Sequence, residues 1–237
     1  MHLSAVFFDI DDTLYPSTAF AQRARRSAVE AMVAAGLDVP VDHAARELEE
    51  VVREFTSNYG HHYDKLILRL AHALRPGAHP ALVVAAGVVA YHRRSEELEP
   101  FPDAVRLLED LRATRLVRGV ISNGYTVKQA EKLVRLRLDG HFSAGAFFVS
   151  EEMGVAKPQP RVFALACEAL GVNPREALYV GDDPGKDVDP AHEARLWTCL
   201  RRGAGKHGVA PGVHAPDFDV NDLGELLPLL RARFTFP

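Results

Sequence analysis

The sequence predicts an α/β fold: a doubly wound parallel sheet whose first strand is separated from the others by a helical insertion. Three observations carry that expectation. The apolar run Ala5-Val6-Phe7-Phe8 stops at Asp9-Ile10-Asp11-Asp12-Thr13, as a buried strand does when it delivers acids to a sheet edge. From Ser17 to Glu99 the texture changes to Ala, Arg, Glu and Leu with few β-branched runs. Beyond Glu99-Pro100-Phe101-Pro102, strand-like and helix-like stretches alternate with short connections, which is the pattern of parallel βα units. Residues 1–16 and 100–237 are therefore expected to form one Rossmann-like core, interrupted by a helical domain over 17–99.

Taken in order, Tyr15-Pro16 closes the first strand segment and starts the insertion. Ala21, Ala24, Ala28, Met32 and Ala35 recur at helical spacing, with Gly36 as the stop. Further helices are expected over Asp42–Tyr59, Tyr63–Leu74 and Ala78–Arg94, separated by Asn58-Tyr59-Gly60 and Arg75-Pro76-Gly77. In the second part of the core the spacing predicts a helix over Asp103–Ala113 and a strand over Leu116–Ile121. A helix over Thr126–Leu136, a strand over Ala146–Val149 and a helix over Pro160–Leu170 follow. Ala177–Val180 reads as a strand, Asp187–Arg195 as a helix and Leu196–Leu200 as a strand. Gly203–His214 reads as a surface loop, Asp217–Val220 as a last strand or extended segment, and Asp222–Arg233 as the closing helix.

The totals exclude several function classes. The chain has 237 residues, 47% hydrophobic and 25% charged, with a formal net charge of -4, so no electrostatic footprint for a nucleic acid polymer or an anionic membrane is present. The apolar run Ala81–Ala90 is about half the length of a bilayer span and is expected to be a buried helix. No signal peptide is evident at Met1-His2-Leu3-Ser4. Cys167 and Cys199 lie in apolar surroundings without metal-ligand spacing, which fits buried free thiols and a cytoplasmic protein.

Ligands of open parallel sheets sit beyond the carboxyl ends of the strands. Four polar clusters fall there: Asp9-Ile10-Asp11-Asp12-Thr13, Ser122-Asn123-Gly124, Lys157-Pro158 and Gly181-Asp182-Asp183-Pro184-Gly185-Lys186-Asp187. Hydrolysis of a phosphate monoester needs a positioned nucleophile and charge neutralisation on the phosphoryl oxygens. Carboxylates from two strand ends suit a hard divalent ion such as Mg²⁺. Ser122, the main-chain N–H groups of Asn123 and Gly124, and Lys157 supply donors, leaving one carboxylate to attack and another to handle the proton. The plainer alternative for the first cluster is that Asp12-Thr13 caps a helix.

These clusters, in this order, resemble the four motifs of the haloacid dehalogenase-like hydrolase superfamily, and the helical block sits where that family carries a cap domain. The resemblance implies that Asp9 is a nucleophile forming an aspartyl-phosphate and that Asp11 is the acid/base. It implies that Ser122 and Lys157 bind the phosphoryl group, and that Asp182 ligates Mg²⁺ with the Asp9 carboxylate and the Asp11 carbonyl. The resemblance further implies that Asp187 supports the metal site, with Asp183 as an extra ligand, while Thr13 is expected to stabilise its loop by bonding local backbone groups. The chain departs from the family pattern at Pro190 and Arg195, where many relatives carry a small residue or Gly. Pro190 is compatible only with a helix start.

Asp11 separates phosphatases from the dehalogenase branch, because an alkoxide leaving group needs a proton and a halide does not. The Asp11-Asp12-Thr13-Leu14-Tyr15-Pro16 variant resembles pyrimidine 5′-nucleotidase-like members. Sugar-phosphate or phosphoglycolate phosphatases and phosphomutases are the enzymatic alternatives, and a phosphoryl-accepting signalling module the non-enzymatic one. Specificity is expected from the cap, with Tyr15, Phe20, Tyr59, His61, His62, Tyr63 and Lys65 as candidates. The expected partner is a small phosphorylated substrate, bound by a monomer or homodimer.

Overall fold

The computed structural model describes residues 1–56, 59–203 and 211–236. The predicted separator at Asn58 and residues 204–210 of the predicted Gly203–His214 loop lie outside the described residues. The chain divides into two compact units, Met1–Thr18 with Glu99–Pro237, and Ala19–Leu98.

The first unit is built on a parallel six-stranded sheet in the order β3-β2-β1-β4-β5-β6, with β1 Ala5–Phe8, β2 Val117–Ser122, β3 Phe147–Val149, β4 Ala177–Gly181, β5 Trp197–Arg201 and β6 Phe218–Val220. β1 lies between β2 and β4, with Phe7 level with Gly119 on one side and Tyr179 on the other. The chain steps outward from β1 in both directions, so the switch point of the sheet falls at the end of β1. All four β1 residues are buried, which explains an uninterrupted apolar run in place of an alternating one. Phe7, Ile121, Val162, Phe163 and Tyr179 pack into one core. The predicted strands and observed ones differ by about one residue at their ends, the usual uncertainty of such boundaries.

The helices of this unit, numbered in chain order after the four that lie mostly in the second unit, are α5 Pro102–Arg112, α6 Thr126–Arg135, α7 Ser150–Met153, α8 Arg161–Ala169, α9 Asp189–Glu193 and α10 Leu226–Arg233. α7 has no counterpart among the predicted elements. The predicted helix Asp187–Arg195 divides into a wide turn over Pro184–Val188 and the short α9. Pro190 is the second residue of α9, a first-turn position that needs no N–H partner. The predicted closing helix opens with a 3₁₀ turn over Leu223–Glu225 that carries an Asp222–Glu225 capping box. Cys167 and Cys199 are buried free thiols.

The second unit is helical: most of α1 Ser17–Ala34, then α2 Val41–Phe55, α3 His62–Arg69 and α4 Pro80–Arg94. Val29, Met32, Leu48, Leu66 and Val83 form its core. The expectation of a buried helix over Ala81–Ala90 is corrected. α4 buries only Val83 and Gly87, and it exposes Leu82 and Val89. Its apolar content fills a whole helix, whereas a three-helix neighbourhood can cover only one side. No helix among the described residues is long and apolar enough to cross a membrane.

Candidate active site

The switch point brings the four predicted clusters together. Asp9 follows β1 directly, and its N–H donates to the Val180 carbonyl at 2.9 Å, so the adjacent strand fixes its backbone. Ser122 ends β2 and its hydroxyl donates to Asp9 Oδ1 at 2.8 Å. Lys157 Nζ lies 3.0 Å from the same oxygen and 2.6 Å from Asp187 Oδ1. Asp9, Ser122, Lys157 and Asp187 are all buried, where unpaired charge is costly. The ammonium between two carboxylates supplies the compensation.

The ionisation balance follows from that burial. Desolvation pushes Asp9 up to about 6 against the pull of Lys157, with Asp187 and Asp11 pushing in the same direction as burial. Burial alone would lower Lys157, but the adjoining Asp187 and Asp9 carboxylates hold it well above the ordinary lysine value. The site is a cation shared by two carboxyls, one of which gives up its proton less readily than an ordinary aspartate.

Asp187 is fully engaged. Oδ1 takes the lysine, and Oδ2 accepts the main-chain N–H groups of Asp182 and Asp183 at 3.1 and 3.0 Å. One carboxylate oxygen from each of Asp9, Asp182 and Asp187 falls within 4.8 Å of the other two. An all-oxygen set of this kind fits a hard divalent cation such as Mg²⁺. With Asp187 committed to Lys157 and the loop, Asp9 and Asp182 are the carboxylates suited to hold it.

Other members of the predicted set have different partners. Asp183 Oδ1 accepts the N–H groups of Gly185 and Lys186 at 3.0 and 3.1 Å, so this acid caps its own turn and does not extend the ligand set. Asn123 brackets the Lys157 backbone, donating to its carbonyl at 2.8 Å and accepting its N–H at 2.9 Å; it positions the lysine. The Gly124 N–H, expected as a phosphoryl donor, donates instead to the Ser150 hydroxyl at 3.0 Å. Thr13 was expected to bond local backbone through its side chain, yet its buried hydroxyl has no hydrogen-bond partner among the described residues. The loop is tied down by its neighbours instead: Asp12 accepts the N–H and hydroxyl of Thr18, as the helix-capping alternative anticipated.

Three residues near the site, Tyr179, Lys132 and Gln129, escaped the sequence reading, and a fourth, Tyr15, was expected in the cap. Tyr179, in the middle of β4, presents its hydroxyl to Lys157 at 2.7 Å and donates to the Ile121 carbonyl at 2.8 Å. Lys132, on α6, lies 2.7 Å from both oxygens of Asp11. Tyr15 donates to Asp11 Oδ1 at 2.7 Å, so it belongs to the acid cluster of the sheet unit and not to the helical one. Gln129 donates to the Ser122 hydroxyl at 2.7 Å and the Asn123 carbonyl at 2.8 Å. Burial would raise Asp11, but Lys132, with the hydrogen bonds from Lys132, Tyr15 and Gln129, outweighs it and holds the carboxyl below the usual range. Gln129 and Lys132 share a helix face at i, i+3, the one sequence signal that linked them.

Within the helical unit, Tyr59 stacks on Phe55 at 4.9 Å and meets His61 and His62 edge-on. Lys65 lies 5.3 Å over the Phe55 ring. Tyr63 meets Tyr91 edge-on, and burial raises its phenol strongly. Phe20 is half-buried on α1.

The haloacid dehalogenase-like hydrolase (HAD) model matches residues 3–195. A glyceraldehyde 3-phosphate phosphatase of Methanopyrus kandleri is 42% identical over 235 residues, 97% of each chain. A pyrimidine 5′-nucleotidase of Escherichia coli is 30% identical, over 95% of this chain and 96% of its own. A solved HAD phosphatase from Thermococcus onnurineus shares the fold with a TM-score of 0.68 at 22% identity, over 96% of this chain and 98% of that one. With the family match spanning most of the sequence and both motif order and sheet topology in agreement, the chain belongs to the haloacid dehalogenase-like hydrolases.

Proposed function

We propose that the protein is a Mg²⁺-dependent phosphatase of small phosphate monoesters that works through an aspartyl-phosphate on Asp9, with triose phosphates of the glyceraldehyde 3-phosphate kind as the first substrates to test. The observation that carries this reading is the Asp9 carboxylate held between Ser122 and Lys157 with a carboxylate oxygen of Asp182 in reach. It supports the reading because a carboxylate, a compensating cation and an oxygen donor set lie together there, as attack by a carboxylate on a phosphoryl group requires.

Bound at Asp9 and Asp182, with the Asp11 carbonyl, Mg²⁺ would supply charge neutralisation to the phosphoryl oxygens. The remaining work falls to side chains. An Asp9 oxygen bonds to phosphorus as the ester P–O bond breaks, and its electron pair goes to the leaving oxygen, which takes a proton from Asp11. The Asp11 carboxylate, ionised beside Lys132 in the free protein, accepts that proton from the incoming phosphate monoester monoanion. Asp11 then removes a proton from the water that attacks phosphorus, releasing Asp9 and inorganic phosphate. Ser122 and Lys157 hold the phosphoryl oxygens, while Asp187 and Tyr179 hold Lys157. The Ala19–Leu98 unit serves as the cap that selects the leaving group.

The 42% identity to a triose-phosphate enzyme favours that substrate class over pyrimidine nucleotides, for which the relative is 30% identical. Nucleotide hydrolysis remains the second reading. A panel of glyceraldehyde 3-phosphate, glycolate phosphate, pyrimidine 5′-monophosphates and 4-nitrophenyl phosphate, with and without Mg²⁺, tests both. Metal-dependent release of phosphate, strongest with the triose phosphate and lost in Asp9→Asn, is expected. Undiminished turnover by Asp9→Asn overturns the nucleophile, and a preference for nucleotides overturns the substrate class.

A further inference from the structure

We propose that Lys132 is a positioning residue for the proton-transfer half of the reaction: it fixes the orientation of the Asp11 side chain, which delivers to the leaving group the proton brought in with the substrate. The inference rests on the phosphatase reading above. Lys132 Nζ contacts both Asp11 oxygens at 2.7 Å, while the Tyr15 hydroxyl donates to Oδ1 at 2.7 Å. The ammonium also lies 6.0 Å over the Tyr15 ring, so the three side chains form one cluster.

A role in stability alone explains this arrangement poorly. The Lys132 and Asp11 side chains retain 27% and 35% of their exposure, and an ion pair that keeps this much contact with solvent contributes modestly to folding. The loop has anchors of its own, because Asp12 binds Thr18 and the Thr13 carbonyl accepts Arg201 Nη1. What Lys132 adds is orientation of one carboxylate. Gln129, one helical turn away on the same face, holds Ser122 through a 2.7 Å hydrogen bond. α6 therefore carries two adjacent side chains, one toward the phosphoryl-binding hydroxyl and one toward the acid.

The consequence separates two kinds of substrate. Departure of an alkoxide requires a proton delivered as the P–O bond breaks, whereas nitrophenolate leaves without one. Removing Lys132 should damage the first and largely spare the second.

The test compares kcat/KM for glycerol 3-phosphate and 4-nitrophenyl phosphate in wild type, Lys132→Met and Lys132→Arg, and repeats Lys132→Met in an Asp11→Asn background. Lys132→Met should lose at least ~10-fold on the alkyl ester and under ~3-fold on the aryl ester, given that positioned general acids contribute about 10²-fold or more. Lys132→Arg should recover most of the loss, since a guanidinium also grips both carboxylate oxygens. Lys132→Gln, which keeps a polar side chain without its charge and should show the same ester-dependent loss, carries the test if the Met variant does not fold. In Asp11→Asn, Lys132→Met should add nothing. Equal losses on both esters, or a loss that persists without the Asp11 carboxylate, overturns the inference. Failure of wild type on both esters overturns the phosphatase reading itself; turnover of both with an unchanged ratio in Lys132→Met overturns only the role of Lys132.

Discussion

Arg201 Nη1 donates to the main-chain oxygen of Thr13 across 2.8 Å, joining the end of β5 to the loop that carries the acids. The same guanidinium reaches Asp103 at 2.9 Å and lies 3.9 Å over the Phe101 ring. Phe101 N–H in turn donates to the Leu14 carbonyl at 2.8 Å. One buried arginine thus gathers the segment where the chain leaves the sheet and the segment where it returns.

Loss of one member of this pair should be expensive. Asp103→Ala leaves Arg201 buried without its carboxylate and removes the acceptor of the Leu223 N–H. A destabilisation of about 3–5 kcal/mol is expected, the usual cost of breaking a buried pair from one side. Urea denaturation monitored by circular dichroism measures it. A change below about 1 kcal/mol would mean that the Thr13 carbonyl and Phe101 alone suffice for Arg201.

A second prediction concerns Gly181. A Cβ there would collide with the Asp187 carboxylate, the group that fixes Lys157 and the Asp182-Asp183 backbone. Gly181→Ala should therefore displace Asp187 and lower kcat/KM by about 100-fold, the scale of loss for a misplaced catalytic group, with a smaller effect on Tm. Steady-state kinetics beside calorimetry separate the two. Retained activity would show that Asp187 can yield without moving Lys157.

The Asp9 carboxyl supplies a stability prediction with a definite pH window. Its native value stands near 6 against 3.8 for an ordinary aspartate. The unfolded chain gives up this proton first, so the native state loses stability as pH rises from about 4 to about 6, and the cost stays constant above that. At 1.36 kcal/mol per unit the cost approaches roughly 3 kcal/mol. Asp9→Asn removes it, and Lys157 keeps Asp187 as partner. In EDTA the variant should melt several degrees above wild type at pH 7.5, by the roughly 2–4 °C per kcal/mol expected at this chain length, and the gap should close toward pH 4. A lower Tm for the variant at pH 7.5 would show that the attraction of Lys157 for Asp9 exceeds the burial penalty.

How far the sequence reveals the site depends on the range of the interaction. Asp9, Ser122 and Asp182 were legible because each stands at the end of an apolar run that becomes a strand, and strand ends in a parallel sheet converge. Lys157, separated from β3 by α7, was legible only through its Lys-Pro pair between a strand and a helix. Lys132 was not, because on an amphipathic helix it looks like any solvated lysine until the fold brings Asp11 beside it. Tyr179 was hidden inside Ala177–Val180, where an aromatic residue reads as core; its hydroxyl matters only through contacts with β2 and Lys157. Gly124 and Thr13 were misread at the level of single hydrogen bonds. The Gly124 N–H meets Ser150, which lies outside every motif, and the Thr13 hydroxyl has no partner among the described residues because Thr18 ties the loop through Asp12 instead. The shortened helix after Asp187 was foreshadowed by Pro190, but its wide turn was not, since that geometry is set by the Asp183 side chain accepting from Gly185 and Lys186.

Arg195 offers the last test. It follows α9 with φ +69°, and its N–H donates to the His192 carbonyl at 2.9 Å while Leu196 N–H donates to Ala191 at 3.0 Å. This is the hydrogen-bond pattern of a Schellman termination, whose left-handed position favours glycine. A side chain in that conformation costs roughly 1–2 kcal/mol, and Arg195 is exposed. Glycine would relieve the strain but give back about 0.4–1 kcal/mol through the greater freedom of the unfolded chain. Arg195→Gly is therefore expected to stabilise the protein by about 0.5–1 kcal/mol, and Arg195→Ala, which keeps the Cβ, should not. Tm values of the two variants decide the point: a gain shared by alanine would trace the effect to arginine's charge, and a loss with glycine would mean that the guanidinium contributes more than its exposure suggests.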